Sequence, residues 1–177
     1  MKSKHTLIVM ALAIALLAGL IFAWLSSQPN EETDVQTHIY NFLLEKGFDS
    51  IQASGILASA KQNSNLDWTA NSVPDGECYG LFQWTYIRLE NLEHFANSNN
   101  MTVEELDTQL LFLIEEVDSE SEYYIGEIQY KGYELEEFWE AQTPSQAAMI
   151  FNMAYTRPAN NSNRVCDLAE EIYQQYN

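Results

Sequence analysis

An uninterrupted apolar run at residues 7–25 divides this sequence into a segment suited to lipid and a longer part suited to water. The run carries no charged residue and has about the length, roughly 20 residues, that a helix needs to cross the hydrocarbon core of a bilayer. Lys2 and Lys4 precede the run and acidic residues dominate after it, so the positive-inside rule leaves the N-terminus in the cytosol. We therefore predict a membrane anchor in residues 1–30 and an extracytoplasmic domain in residues 31–177.

A cleaved signal peptide is the alternative interpretation of the same segment. The apolar run is longer than a usual signal-peptide core, and no clean small-x-small cleavage site occurs around Ile21, Phe22, Ala23 and Trp24. We favour the uncleaved anchor, which makes the chain a single-pass protein of the cell membrane. Cleavage would instead secrete the domain.

The charge balance excludes one large class of partners. The chain has 26 Asp and Glu against 8 Lys and Arg, for a formal net charge of -18. Such a field repels phosphate backbones and anionic lipid headgroups, so nucleic-acid binding is excluded and the apolar run alone must hold the membrane. The composition, 46% hydrophobic and 12% aromatic, still suffices for a buried core.

The cysteines and histidines give only weak evidence for a disulfide or a metal site. Cys78 and Cys166 both lie in the exported part and could form a disulfide in an oxidising compartment. Two partly buried free thiols are an equal alternative, because two cysteines carry no spacing signature. The three histidines are isolated in sequence, so no metal site and no cofactor is predicted.

Apolar periodicity after residue 31 predicts a mainly helical, all-α domain. The longest break lies between residues 63 and 80 and contains the turn sequence Val73-Pro74-Asp75-Gly76, so at most a small hairpin is expected within 64–84. Thr102 and Glu105 have the spacing of a capping box, and Thr143-Pro144 has that of an N-cap with proline at N1. The predicted helices cover about 34–46, 50–62, a segment after a Thr85 cap, a segment after Thr102, 134–139, 143–155 and 164–173.

Three sequence blocks point to a known family. They are Ser54-Gly55-Ile56-Leu57 in the second helix, Gly80-Leu81-Phe82-Gln83-Trp84 after the polar loop, and Arg157-Pro158-Ala159-Asn160 near the C-terminus. In this order they resemble the phage tail lysozyme family of the lysozyme-like superfamily, over about residues 38–175. The resemblance implies an α+β lysozyme-like fold and cleavage of peptidoglycan glycan strands by a general-acid Glu at the end of the second helix.

The residue at that position is Asn63, in the tract Lys61-Gln62-Asn63-Ser64. Departure of a glycosidic oxygen needs a proton, which a Glu with a raised pKa supplies and an Asn does not. The family also tends to carry an acidic residue before its Arg/Lys-Pro pair, and here that position is Thr156. The resemblance therefore predicts a domain that has kept the lysozyme fold and lost its usual acid.

Three carboxylates in the polar loop could replace the missing acid. Asp67, Asp75 and Glu77 all lie where the loop should border the cleft, and glycosidases tolerate two different carboxyl separations. The alternative, which we favour, is that they are solvated loop acids in an acid-rich chain.

The resemblance also suggests sugar-binding residues, each with a structural alternative. Gln83 and Trp84 could present an amide and an indole to a sugar, although Trp84 is at least as well explained as core packing. Tyr155 and Arg157 fall where the family lines its cleft, and Arg157 could equally be a helix-end cation. Arg88 is expected to have a structural role and to pair with a neighbouring acid such as Glu90, Glu93 or Asp67. The full set of expected contact residues is Asn63, Ser64, Gln83, Trp84, Tyr155 and Arg157.

Two functions compete at this point. The first is a membrane-tethered, catalytically impaired lysozyme-like module that binds peptidoglycan glycan strands or a wall-associated protein. The second is a working glycan-strand hydrolase that uses a relocated carboxylate such as Asp75 or Glu77.

Overall fold

The computed structural model describes residues 31–71, 78–159 and 162–177. The predicted anchor at residues 7–25 and the loop acids Asp75 and Glu77 lie outside the described residues. Within these three ranges, no helix combines the length and the apolarity that crossing a bilayer requires. Residues Val35–Asn177 form one compact unit.

Helices dominate this unit, as the periodicity predicts, and the strands are short. The second and last predicted helices begin at the expected residues, while the first begins a few residues earlier than expected. The helices are α1 (Glu31–Glu45), α2 (Ser50–Ser64), α3 (Tyr86–Ser98), α4 (Leu106–Val117), α5 (Pro144–Phe151) and α6 (Arg164–Tyr176), with a 3₁₀ helix at Leu135–Glu140 and a π-helical turn at Asn152–Thr156. The strands are β1 (Cys78–Tyr79) and β2 (Trp84–Thr85).

Helix α2 lies at the centre of the fold and packs on α5 and α6. It starts at a complete capping box, in which the Asp49 carboxylate accepts from the Gln52 N–H and the Gln52 side chain accepts from the Asp49 N–H. Its segment from Gln52 to Ala60 is buried without interruption. The helix ends at Asn65, which adopts the left-handed conformation with φ 55°. Asn63 therefore lies in the last turn of a helix fixed at both ends.

The predicted small hairpin is present, at the Gly80–Trp84 block. Strands β1 and β2 pair antiparallel, with Cys78 opposite Thr85 and Tyr79 opposite Trp84. Gly80 sits in the turn with φ +81°, and a Cβ at this position would lie 2.6 Å from the Gln109 Oε1 atom. The same Oε1 accepts the Leu81 N–H at 2.8 Å. The backbone conformation therefore favours glycine, and any larger residue would also displace the Gln109 side chain from this contact.

One predicted cap is confirmed and another is wrong. Thr143 caps α5, accepting a hydrogen bond from the Gln146 N–H, with Pro144 in the first turn. The Thr102–Glu105 capping box does not form, because α4 begins only at Leu106 and Glu105 itself occupies the N-cap position without a side-chain cap bond. A capping-box spacing marks a helix start only where the chain becomes helical at once, and here the intervening residues form turns.

Helix α5 continues into the π-helical turn and ends at Arg157, which has φ +53°. The largest fully buried side chains cluster around this junction and the hairpin: Trp84, Phe112, Phe138, Phe151 and Tyr155. The core therefore lies directly behind the blocks that carry the family resemblance.

Candidate functional site

Asn63 and Ser64 both fold back onto their own helix. The Asn63 Nδ2 group donates to the Ser59 carbonyl at 2.7 Å, and the Ser64 hydroxyl donates to the Ala60 carbonyl at 3.3 Å. Both side chains are half-buried in the last turn of α2. At the position where the family resemblance expects a carboxylic acid, the chain thus holds an amide oriented by a backbone carbonyl.

A chain of polar contacts joins the end of α2 to the π-helical turn. Gln62 Nε2 lies 3.4 Å from Asn152 Oδ1, which also accepts a 2.9 Å hydrogen bond from the Thr156 hydroxyl. The Thr156 hydroxyl lies 2.7 Å from the Asn152 carbonyl as well. These contacts bring the segment of Asn63 and that of Thr156 to one place. Gln62 and Asn152 therefore connect the helix turn that carries Asn63 to the turn that carries Thr156.

Three buried polar atoms of this site have no hydrogen-bond partner among the described residues. They are Ser59 Oγ, Gln62 Oε1 and Asn152 Nδ2. Unpaired buried polar atoms are rare in folded proteins and are costly where no function needs them. Their concentration next to the last turn of α2 marks this part of the molecule as a candidate site.

Gln83 holds the hairpin against the loop that follows α2. Its backbone has φ +54°, and its Nε2 donates to the Gly80 carbonyl at 2.8 Å and to the Ala70 carbonyl at 3.1 Å. Its Oε1 accepts from the Cys78 thiol at 3.3 Å. Gln83 therefore positions the loop beside the site. Its predicted contact with sugar stays a prediction.

Trp84 is a core residue that hydrogen bonds to a buried acid. Its side chain is only 1% exposed, and its indole N–H donates to Glu116 Oε2 at 2.7 Å. The Tyr155 hydroxyl donates to the same oxygen at 2.6 Å and is completely buried. Trp84 is thus buried in the core, as its structural alternative expects. Tyr155 is buried as well and lies behind the surface of the site.

Arg88 completes this cluster and pairs with Glu116. Its Nε and Nη2 atoms each lie 2.7 Å from a different Glu116 oxygen, and Nη1 donates to the Tyr155 carbonyl at 2.9 Å. The expected structural pairing of Arg88 with an acid is present, but the partner is Glu116 and not one of the three acids named as examples. Glu116 shares the buried face of α4 with Leu113, three residues before it, and this apolar-face position is the sequence signal that could have identified it.

The cluster changes the proton affinities of its members. Burial, and then the Glu116 charge, raise the pKa of Tyr155 well above the ordinary tyrosine value. Burial acts to lower the pKa of Arg88, but the adjacent Glu116 carboxylate more than offsets this and the pKa is raised. The hydroxyl and the guanidinium thus both keep their protons and act as fixed donors to Glu116.

Arg157 serves as a cation at a helix end. In its left-handed conformation its Nε donates to the Ala154 carbonyl at 3.0 Å, and its Nη2 donates to the Ile125 carbonyl at 2.9 Å. Burial, followed by the nearby Arg88 charge, lowers its pKa. These contacts hold the end of the π-helical turn against the irregular segment before the 3₁₀ helix. Such contacts are those of a helix-end cation, the structural alternative for Arg157.

Comparison with known proteins decides the family. The phage tail lysozyme family matches residues 34–176, which is nearly all of the compact unit. The chain belongs to the phage tail lysozyme family. Morphogenesis protein 1 of Bacillus phage B103 is similar to it, with 27% identity over 130 residues that cover 70% of this chain and 33% of that protein. The chain thus spans about a third of that relative's length.

The one described carboxylate among the three replacement candidates of this phage tail lysozyme domain is Asp67. It is exposed, and its Oδ1 accepts from the Thr69 N–H at 2.9 Å and from the Thr69 hydroxyl at 2.7 Å. These are the bonds of a solvated loop acid. Within the ranges that the structure describes, no group of three or more His, Cys, Asp or Glu side chains could hold a metal ion.

The two cysteines of the domain are not joined. The Cys78 thiol donates to Gln83 Oε1, and the Cys166 thiol donates to the Ser145 carbonyl at 3.5 Å. The Cys78–Cys166 disulfide is therefore absent, because each sulfur is directed to a different local acceptor. Burial, and then the Asp167 charge, raise the pKa of Cys166, which disfavours its thiolate form.

Proposed function

We propose that this phage tail lysozyme domain binds peptidoglycan glycan strands beside the end of α2 without cleaving them by the usual general-acid step. The observation that carries the proposal is Asn63. Its amide stands at the acid's position and is held by a 2.7 Å hydrogen bond to the Ser59 carbonyl. An amide offers a donor and an acceptor to a sugar, but it has no proton to transfer to a leaving oxygen.

Glu116 does not substitute for the missing acid in this proposal. Its side chain is only 1% exposed, and its oxygens accept hydrogen bonds from Trp84, Arg88 and Tyr155. A general acid must reach the glycosidic oxygen within hydrogen-bond distance, which a carboxylate enclosed by protein donors does not do. Glu116 is a structural ion-pair partner behind the site.

A relocated acid is the second candidate, and one geometric observation favours it. The Gly80 N–H donates to the Ala70 carbonyl at 2.9 Å, so these two residues, which lie on either side of Asp75 and Glu77 in the sequence, are in contact. In this alternative a carboxylate from the intervening sequence approaches a glycan bound at the end of α2. In this alternative the domain is an active glycan-strand hydrolase.

The proposal extends to location and partner. Residues 7–25 would hold the chain in the cell membrane as a single-pass anchor, with the lysozyme-like domain on the extracytoplasmic side. A signal peptide cleaved at this segment would secrete the same domain instead. In either case the domain meets peptidoglycan, or a wall-associated protein, on the outer side of the membrane.

Incubation of the full-length chain with purified peptidoglycan tests the proposal through two measurements. Cosedimentation with the insoluble polymer measures binding, and released muropeptides measure cleavage. We expect binding without release. Asn63→Glu restores the acid and should produce measurable release, whereas the matched variant Asn63→Gln, which keeps an amide, should not.

Three outcomes separate the candidates. Release by the unmodified chain that collapses in Asp75→Asn or Glu77→Gln establishes the relocated acid and overturns the non-cleaving proposal. Absence of both binding and release rejects glycan recognition, and leaves a wall-associated protein as the partner. Binding that persists while Asn63→Glu stays inactive shows that the site has lost more than its acid.

A further inference from the structure

A groove of about 440 Å³ lies at the other end of α2 from Asn63. Phe48, just before the N-terminus of α2, forms part of its wall, together with Val117 at the end of α4 and Trp139 in the 3₁₀ helix. Because α2 has 15 residues, the two ends are about 22 Å apart. The groove is therefore separate from the site at Asn63.

A fixed indole forms the apolar surface of this groove. Trp139 is 45% exposed, yet its ring stacks on Phe48, with ring centroids 5.4 Å apart and an interplanar angle of 21°. Phe138 meets the same indole edge-on at 5.4 Å. Packing on two rings holds the exposed indole in one orientation before any ligand binds, which lowers the entropy cost of binding.

Polar groups of both kinds surround the indole. Asp118 and Glu136 supply carboxylate acceptors, while Lys46 and Ser119 supply donors. The Tyr124 hydroxyl donates a short hydrogen bond to Glu136 and so orients this carboxylate at the wall of the groove. An apolar face with a few convergent donors and acceptors is the usual composition of a small-molecule site, and the volume falls within the usual range.

The charges of the lining narrow the class of ligand. Two carboxylates disfavour an anion, while the Lys46 ammonium in the same wall offsets one of the two negative charges and so weakens the preference for a cation. A neutral ring with an apolar face and several hydroxyl groups fits both features, because its C–H groups can stack on indole while each hydroxyl can donate and accept.

We propose that this groove is a second carbohydrate site that binds a neutral pyranose ring against Trp139. The inference rests on the proposed function only in taking a glycan as the ligand, since none of its residues belongs to the site at Asn63. A domain with two separated sugar sites grips a strand more firmly than one site allows, because the second contact forms at a high effective concentration.

Side-chain NMR signals of the full-length chain test this inference, with a soluble N-acetylglucosamine trimer as the probe. The four tryptophans give four indole N–H signals, and the Trp139 signal is assigned from its loss in Trp139→Phe. We expect the Trp139 signal to shift saturably during the titration. The signal of Trp84, whose indole is buried against Glu116, serves as the internal control and should not move.

Two variants should weaken this binding by about tenfold, the effect of losing one stacking or charge-assisted contact. Trp139→Ala removes the ring. Glu136→Gln keeps the shape of an exposed side chain and guards against a folding artefact. The matched control, Ile87→Ala, removes a 63% exposed apolar side chain on α3 and should leave the affinity unchanged.

The readouts of the two sites are independent. A shift of the Asn63 or Gln83 side-chain amide signals without any shift at Trp139 overturns the second site and leaves the proposed function intact. A shift at Trp139 alone supports the second site and counts against glycan binding at Asn63. A Trp139 signal that responds to tetramethylammonium and not to the sugar overturns the carbohydrate assignment.

Discussion

Glu116 on α4 and Arg88 on α3 form a buried ion pair in which each carboxylate oxygen lies 2.7 Å from a different guanidinium nitrogen. The side chains are 1% and 17% exposed. Trp84 and Tyr155 donate to the same carboxylate. The pair thus ties the hairpin, two helices and the π-helical turn together, and it fixes the core behind the candidate site.

Glu116→Ala should lower the free energy of unfolding by about 3–5 kcal/mol, because it leaves the Arg88 charge buried without its partner. Urea denaturation followed by circular dichroism measures the change. The control Glu93→Ala removes an exposed carboxylate of α3 and should stay within about 0.5 kcal/mol of the unmodified chain. A similarly small effect for Glu116→Ala would show that the ion pair is not needed for the fold.

Replacing both charged residues is a second test of how this ion pair affects stability. The double variant Arg88→Met with Glu116→Leu leaves no buried charge unpaired. Its loss of unfolding free energy should therefore be smaller than that of Glu116→Ala, by roughly 1–4 kcal/mol. The same urea titrations give the difference. A double variant as unstable as the single one would place the stabilising role in the hydrogen bonds from Trp84 and Tyr155.

Tyr155 should make the free energy of unfolding depend on pH in the alkaline range. Its pKa is raised in the folded chain, first by burial and then by the Glu116 charge, so the folded state holds this proton more tightly than the unfolded state does. Its contribution to stability is therefore complete below the ordinary tyrosine value of about 10 and declines as the pH rises above it, by about 1.4 kcal/mol per pH unit.

Tyr155→Phe isolates this effect because phenylalanine does not titrate. The difference in unfolding free energy between the unmodified chain and Tyr155→Phe should be constant up to about pH 9.5 and narrow above about pH 10. Urea titrations at a series of pH values give this difference. A gap that stays constant through about pH 11 would mean that the folded chain ionises Tyr155 as readily as the unfolded chain does.

The secondary structure could be predicted from local signals, and the errors lie where tertiary contacts decide. Helix α6 begins where its periodicity indicates, because an amphipathic helix shows its buried face in the sequence itself. Helix α2 is buried without interruption from Gln52 to Ala60, and it begins where its run of apolar and small residues indicates. The Thr102 capping box fails because a three-residue spacing does not say where the chain turns helical. The π-helical turn at Asn152–Thr156 has no sequence signal of its own, and it places Tyr155 inside the core.

Charged groups were the least predictable part of the candidate site. Periodicity identifies Glu116 as a residue on an apolar face, but nothing local shows that its partner is Arg88, 28 positions earlier. The family resemblance led directly to Asn63 and Thr156, and the structure adds the Gln62–Asn152 contact between their segments. Which side chains contact sugar depends on the bound glycan, so those assignments remain predictions.

Gly55→Ala should destabilise the chain although alanine is the better helix former. A Cβ at Gly55 would lie 2.8 Å from backbone atoms of Ala147 and Ala148, so α2 and α5 would have to move apart. Overpacking of this kind costs about 1–3 kcal/mol. That range exceeds the gain of about 0.8–1 kcal/mol in helix propensity, and thermal unfolding measures the net effect.

Ser59→Ala is the matched control on the same helix. Its hydroxyl is buried without a partner among the described residues, so removing it should be neutral or stabilising. Opposite signs for the two alanine variants would separate steric crowding from propensity. If Gly55→Ala is instead as stable as the unmodified chain, the α2–α5 contact is looser than the structure indicates.

Salt should strengthen the binding of this domain to peptidoglycan that carries anionic wall polymers. The formal net charge of -18 repels such polymers, and raising the salt from about 20 mM to about 200 mM shortens the screening length to below about 10 Å. The cosedimented fraction should therefore rise over this range.

A neutral N-acetylglucosamine oligomer provides the control, because its affinity has no charge repulsion to lose and should stay constant. Weaker binding at high salt would show instead that local cations such as Lys46, Lys61 or Arg157 attract the polymer and outweigh the overall charge.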